Sequence, residues 1–326
     1  MADTKFDRSV FADPWLKFLD EFGESPALSG SLEDIFKGWD TLLGKMAAKY
    51  EFPAPDPSVN TEQHDLDGFW VRLYTPPGST GQEPLGVYFH GGGWAMGSVD
   101  QEDAICRLIS KACKMRIVSV EYRMAPQHKY PIPLQDCVTA TLWALKHFSQ
   151  DKAVLLGGSA GANLAFGTAL KFIDQGQGDR VKGVVAMVPV TVLPDALPAH
   201  LKPEYTAYDE HANHTVNTKS AMEAFINAYG APQDCHYTSC LLHPRLSELP
   251  KTYITESGTD TLRDDARLMK AALEMTGVPV RYDAYPGFPH YSWTFPSKHL
   301  AGHRTDFFGK LIEAITWVNE PTSARL

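Results

Sequence analysis

Residues 154–165 read Val154-Leu155-Leu156-Gly157-Gly158-Ser159-Ala160-Gly161-Ala162-Asn163-Leu164-Ala165. The first three form a short apolar run of the kind that makes a buried strand, and a helical pattern resumes at Ala162. Between them stands G-x-S-x-G. A strained turn from strand to helix lifts such a serine above a sheet, and only residues with little or no side chain let the backbone fold so tightly around it. The following helix brings its amino-terminal dipole and unpaired amides to the point where negative charge develops if the hydroxyl attacks a carbonyl.

Outward from this elbow, short apolar runs bounded by Gly and Pro alternate with helical patterns. Candidate strands lie at 70–74, 85–89, 117–120, 154–156, 184–188, 253–255 and 280–285, and candidate helices at 103–112, 133–148, 162–172, 262–275 and 305–318. The alternation predicts an α/β fold with a mostly parallel central sheet flanked by helices, and the apolar strands suit burial on both faces. Residues 1–60 read as helical and then irregular. Trp15, Phe18, Leu19 and Phe22 fall at helical spacing after Pro14, the pattern repeats over 32–46, and a Pro-rich run at 51–57 ends it. The alternation breaks again over 191–249, a stretch rich in Pro, His and Tyr with one clear helix at 219–229. An insertion of this size over a sheet end reads as a lid. The expected division is an N-terminal part of a cap at 1–60, core at 61–190, an inserted cap segment at 191–249, and core again at 250–326. A structure with residues 1–50 on the opposite side from 191–249 would defeat the pairing of the two cap segments.

The composition, 44% hydrophobic and 21% charged over 326 residues, is that of a folded globular chain. A net charge of -9 with no basic cluster argues against nucleic acid as a partner and fits a small, neutral molecule better. The odd cysteine count, Cys106, Cys113, Cys137, Cys235 and Cys240, suits a reducing compartment. No apolar run resembles a signal peptide or a membrane span, so the expected location is cytoplasmic. Neither Cys235, His236, Cys240 and His243 nor His211 and His214 has the spacing of a zinc framework, and packing accounts for them; no metal or cofactor is expected. Oligomeric state is left open, with a homodimer as one option.

A second glycine-rich element, Tyr88-Phe89-His90-Gly91-Gly92-Gly93-Trp94, follows another apolar strand. The N–H groups of Gly91, Gly92 and Gly93, together with that of Ala160, can cradle a developing oxyanion. Chain position selects the base among 12 histidines, because proteins with this elbow carry serine, acid and histidine in that order. After the last strand comes a turn that hangs His290 over the sheet edge, whereas His299 and His303 lie near a helix start and are expected to face solvent. For the acid, Asp260 is best placed. Glu256 falls too close to the strand end, and Asp264 and Asp265 have the ordinary role of acidic residues in a first helical turn. Trp94 and Tyr291 are expected to wall the substrate pocket.

These motifs together resemble the hormone-sensitive-lipase family of carboxylesterases, within the α/β-hydrolase fold. His90 to Trp94 matches its H-G-G-G-[FW] loop, residues 120–126 its V-x-Y-R-x-A-P motif, Ser159 its G-D-S-A-G-G elbow, residues 260–264 its D-x-L-x-D motif and residues 285–290 its Y-x-G-x-x-H motif. The ending His290-Tyr291-Ser292-Trp293 is similar to a fungal branch of versiconal hemiacetal acetate esterase-like hydrolases in secondary metabolism. Three positions depart from the family pattern: Gly158 replaces Asp, Ala162 replaces Gly, and Tyr291 replaces the Gly after the histidine. The resemblance implies a two-segment helical cap, the triad Ser159, Asp260 and His290, the oxyanion loop already named, and no cofactor.

The expected activity is hydrolysis of short-chain or small-molecule esters through an acyl-enzyme. Two alternatives stand beside it. The same triad could run acyl transfer, cyclisation or condensation, or the scaffold could serve as a non-catalytic small-molecule receptor.

Overall fold

A computed structural model describes residues 7–321; the first six residues of the expected N-terminal cap segment and the last five of the chain lie outside the described residues. The chain runs α1 (Asp13–Phe22), α2 (Leu32–Lys49), β1 (Asn60–Asp65), β2 (Trp70–Thr75), β3 (Leu85–Phe89), α3 (Asp103–Cys113), β4 (Arg116–Glu121), α4 (Ile132–His147), β5 (Ala153–Gly158), α5 (Ala160–Asp174) and β6 (Val181–Met187). It continues through α6 (Ala207–Glu210), α7 (Lys219–Tyr229), β7 (Thr252–Ser257), α8 (Arg263–Met275), β8 (Val280–Tyr285) and α9 (Ala301–Asn319).

The eight strands form one sheet in the order β1-β2-β4-β3-β5-β6-β7-β8. Pairing from β4 through β8 is parallel, and β2 is antiparallel to both β1 and β4. All the seven expected strands are present. The strand β1 carries no apolar signal in the sequence, because its residues, NTEQHD, are polar and lie almost wholly exposed. Backbone pairing to β2, rather than side-chain burial, holds it at the edge.

Alternation along the inner strands feeds two cores. Val87 and Phe89 of β3 join a cluster with residues of α4, α5 and α8, while Tyr88 points the other way, among residues of α3 and α9. The short parallel strands end at one common edge, and β3, β5, β7 and β8 are each followed there by a loop carrying candidate site residues, as is general for open parallel sheets.

Residues 188–251, between β6 and β7, form an insertion carrying α6 and α7. It meets the N-terminal segment directly. Leu28 pairs with Asn217 in a parallel bridge, Thr218 Oγ1 donates to the Leu28 carbonyl at 2.6 Å, and the Gly30 N–H donates to Ser220 Oγ at 3.1 Å. The start of α2 has a reciprocal cap: Asp34 N–H donates to Ser31 Oγ at 3.2 Å, and Ser31 N–H donates to the Asp34 carboxylate at 3.0 Å. Just before α1, Ala12 N–H donates to the Gly287 carbonyl in the loop after β8 at 2.9 Å. Among the described residues, no helix is long and apolar enough to cross a membrane.

Candidate active site

Ser159 sits between β5 and α5 with φ 55° and ψ -120°, a strained conformation for a residue with a side chain. The packing around it explains both flanking glycines. A Cβ on Gly157 would collide with the backbone of Gly161, and one on Gly161 with the Phe89 carbonyl at the end of β3. Ser159 N–H donates to the Met187 carbonyl at 2.8 Å, so the ends of three adjacent strands hold the turn.

The loops after β7 and β8 bring Asp260 and His290 together. Asp260 Oδ2 lies 2.6 Å from His290 Nδ1, and Asp260 is fully buried, with Ser159 and His290 nearly so. The other carboxylate oxygen, Oδ1, accepts from the Leu262 N–H at 3.0 Å, which fixes the rotation of the group. Ser159 and His290 line the same cavity of about 370 Å³.

The competing acids have other work. Glu256 forms a two-point ion pair with Arg267, both contacts at 2.8 Å, and accepts from the Tyr282 hydroxyl. Asp264 and Asp265 do more than complement a helix dipole. Both are buried, and they clasp the insertion by its backbone. Asp264 accepts from Thr206 and Ala207 N–H at 2.7 and 2.8 Å, and Asp265 accepts from Thr191 and Val192 N–H at 2.7 and 3.1 Å and from the Tyr205 hydroxyl at 2.7 Å. Burial pushes the Asp265 carboxyl up to about 7 against those donors. Asn163, four residues after Ser159, adds a further clasp by donating to the carbonyls of Val190 and Thr238 at 3.0 and 2.7 Å.

The glycine loop leaves the end of β3 beside Ser159. His90, fully buried and stacked on Tyr122 at 4.2 Å, stays neutral because desolvation lowers its pKa to about 4. The His90 Nδ1 is 2.8 Å from the Gly91 carbonyl, and the Tyr122 hydroxyl donates to the His90 carbonyl at 2.9 Å. Gly91 N–H is already committed, donating to Glu102 Oε1 at 2.9 Å. Gly92 and Gly93 line the cavity and their N–H groups have no acceptor among the described residues. Ala160 opens α5, so its N–H lacks an intrahelical partner.

With the Gly91 N–H taken from the expected oxyanion cradle, two further expectations are corrected. Trp94 does not wall the cavity: it is fully buried behind the loop, its ring stacked on Tyr229 at 4.5 Å and nearly parallel to it. Phe225 of α7 takes the place over Gly93. His303 is not solvent-facing but buried, stacked on Phe288 at 3.8 Å and within 2.8 Å of Ser292 Oγ. Tyr291, by contrast, does line the cavity. The rest of the wall is largely apolar and comes from both outer segments, with Leu42 and Met46 of α2 facing Val216 and Met222 of the insertion.

A family model described as alpha/beta hydrolase fold matches residues 86–294. The chain is 56% identical to versiconal hemiacetal acetate esterase of Aspergillus parasiticus, over 95% of this chain and 99% of that protein. It is 52% identical, over 91% of its own length, to an Aspergillus terreus protein named FAD-linked oxidoreductase pytB, but spans 37% of that longer chain. Among solved structures, a Pyrobaculum calidifontis esterase superposes with a TM-score of 0.78 at 26% identity, covering 94% of this chain and 98% of that one.

Proposed function

Because the chain belongs to the α/β-hydrolase family, in its hormone-sensitive-lipase-like branch, and is an esterase, we propose that Ser159, His290 and Asp260 form its catalytic triad and act on small, largely apolar esters with short acyl chains. The observation that carries this reading is the 2.6 Å contact between Asp260 and the Nδ1 of His290 in the cavity that also exposes Ser159 on its strained elbow.

In the reaction, the contact to Asp260 keeps a proton on Nδ1 and leaves Nε2 free to take the proton of the Ser159 hydroxyl as it attacks the ester carbonyl. The imidazolium formed is stabilised by the same carboxylate. The N–H groups of Gly92, Gly93 and Ala160 receive the oxyanion, and each such donor is worth about 2.7–4 kcal/mol in the transition state. Gly91 supports the loop instead, since its N–H is taken. His290 then protonates the departing alcohol, and water attacks the acyl-enzyme with His290 again as base. Residues up to about 60 and 191–249 act as one cap, and the hydrogen bonds between Leu28, Gly30 and the start of α7 support that pairing. A relative named for an acetate ester and a cavity of about 370 Å³ favour acyl chains from acetate to hexanoate. The paired His290 and Asp260 count against a receptor role, which has no need of a poised base.

The test is hydrolysis of p-nitrophenyl acetate, butyrate and octanoate by the purified protein and its Ser159→Ala variant, with no metal added. Turnover of the two shorter esters that falls by several orders of magnitude in the variant is expected; a folded wild type that hydrolyses none of them, or a variant as active as wild type, would overturn the reading.

A further inference from the structure

A single half-buried carboxylate joins the two loops that the proposed reaction must hold in register. Glu102, at the start of α3, accepts through Oε1 from the Gly91 N–H at 2.9 Å and from the Tyr291 hydroxyl at 3.1 Å, and through Oε2 from the Tyr88 hydroxyl. Gly91 begins the glycine loop, and Tyr291 directly follows His290. The phenol has room to reach Glu102 only because residue 158 has no side chain; a Cβ on Gly158 would run into Tyr291 Oη. The two departures at 158 and 291 are therefore one feature, in which a tyrosine from the base-bearing turn fills space beside the nucleophile. Burial raises the Glu102 carboxyl above its usual range, and the three donors oppose that rise.

We propose that Glu102 and Tyr291 are positioning residues that set the distance between the oxyanion loop and His290. The Gly91 N–H, tied down by Glu102, fixes the plane from which Gly92 and Gly93 present their amides, and the Tyr291 hydroxyl ties the His290 backbone to the same anchor. The proposal rests on Ser159 and His290 acting as described above. It predicts that loss of the link harms the tetrahedral state far more than the bound ester, because oxyanion donors act where charge develops.

Tyr291→Phe, Glu102→Gln and the double variant are to be compared with wild type in steady-state hydrolysis of p-nitrophenyl butyrate, in inhibition by butylboronic acid, which forms a tetrahedral adduct on a reactive serine, and in thermal melting. Each folded single variant is expected to lose roughly tenfold in kcat with KM nearly unchanged, and to lose boronate affinity by a similar factor. The double variant is expected to be no worse than the poorer single one, because both substitutions cut one link. A folded single variant that keeps kcat and boronate affinity within about threefold of wild type, a change confined to KM, or fully multiplicative losses would overturn the proposal. Should Tyr291→Phe not fold, Glu102→Gln decides alone. Labelling of wild type, but not Ser159→Ala, by a fluorophosphonate separates the two layers. With that labelling present, normal kinetics in Tyr291→Phe sink this proposal only; with it absent and no hydrolysis, the triad reading falls and this proposal with it.

Discussion

Replacing Asp260 by Asn tests the triad with almost no change of shape. The amide must place one oxygen and one nitrogen where the carboxylate has two oxygens, and the structure dictates which goes where. Leu262 N–H needs the acceptor it now finds at Oδ1, 3.0 Å away, and leaving that buried donor unpaired would cost about 1–3 kcal/mol. The oxygen therefore stays at Oδ1, and the NH2 group faces His290 Nδ1 across the present 2.6 Å contact. A donor there forces the imidazole into the tautomer with its proton on Nε2, which cannot accept the proton of Ser159. Loss of the correct tautomer in a serine-histidine-aspartate site lowers kcat by about 10⁴, or roughly 5 kcal/mol of barrier. Steady-state hydrolysis of p-nitrophenyl butyrate at neutral pH measures this, with thermal melting alongside to show that the fold is kept. A folded Asp260→Asn enzyme within tenfold of wild type would refute the argument, since it would mean that His290 needs no partner at this position.

Other expectations concern the surroundings of the site. Asp265→Asn should change the pH dependence of stability. A carboxyl held at about 7 in the folded protein, against a normal value of 3.8, ionises first in the unfolded chain, so wild type loses stability relative to the variant as pH rises from about 4 to about 7. Chemical denaturation of both proteins at pH 4.5 and 8 checks this, and a difference that does not move with pH would contradict it. Met46→Ala, which removes a buried side chain from the cavity wall, should cost about 2–5 kcal/mol and shift preference toward octanoate, measured by denaturation and by the ratio of octanoate to butyrate turnover. Ser31→Ala removes the cap of α2 and should cost about 1 kcal/mol, read from the denaturation midpoint.

Much of the fold could be read from local pattern because the inner strands are apolar enough to mark themselves, and the elbow and glycine loop because their geometry tolerates few residue types. The hidden parts share a physical cause. At β1 the stabilising interaction is backbone pairing, which leaves no trace in side-chain periodicity. His303 looked like a surface residue of a helix start, yet Phe288 from a distant turn covers it. Asp264 and Asp265 satisfied a local rule about helix dipoles, and nothing nearby in the chain reveals that their partners lie some sixty or seventy residues upstream in the insertion. Adjacency to the glycine loop points Trp94 toward the pocket, but adjacency in sequence says nothing about which side of the loop a ring packs on. Glu102 carries no motif at all; its meaning comes from donors on β3, the glycine loop and the turn after β8.

The exposed strand at one rim of the sheet has a further effect on how these molecules meet one another. β1 offers Glu62 and Asp65 along its open side, and β8, at the far rim, carries Arg281 and Asp283. Charged residues on terminal strands discourage a neighbour from zipping on by main-chain pairing, so copies of this chain that collide at high concentration find both rims uninviting to sheet extension. The sheet can thus remain wide without becoming a template for aggregation.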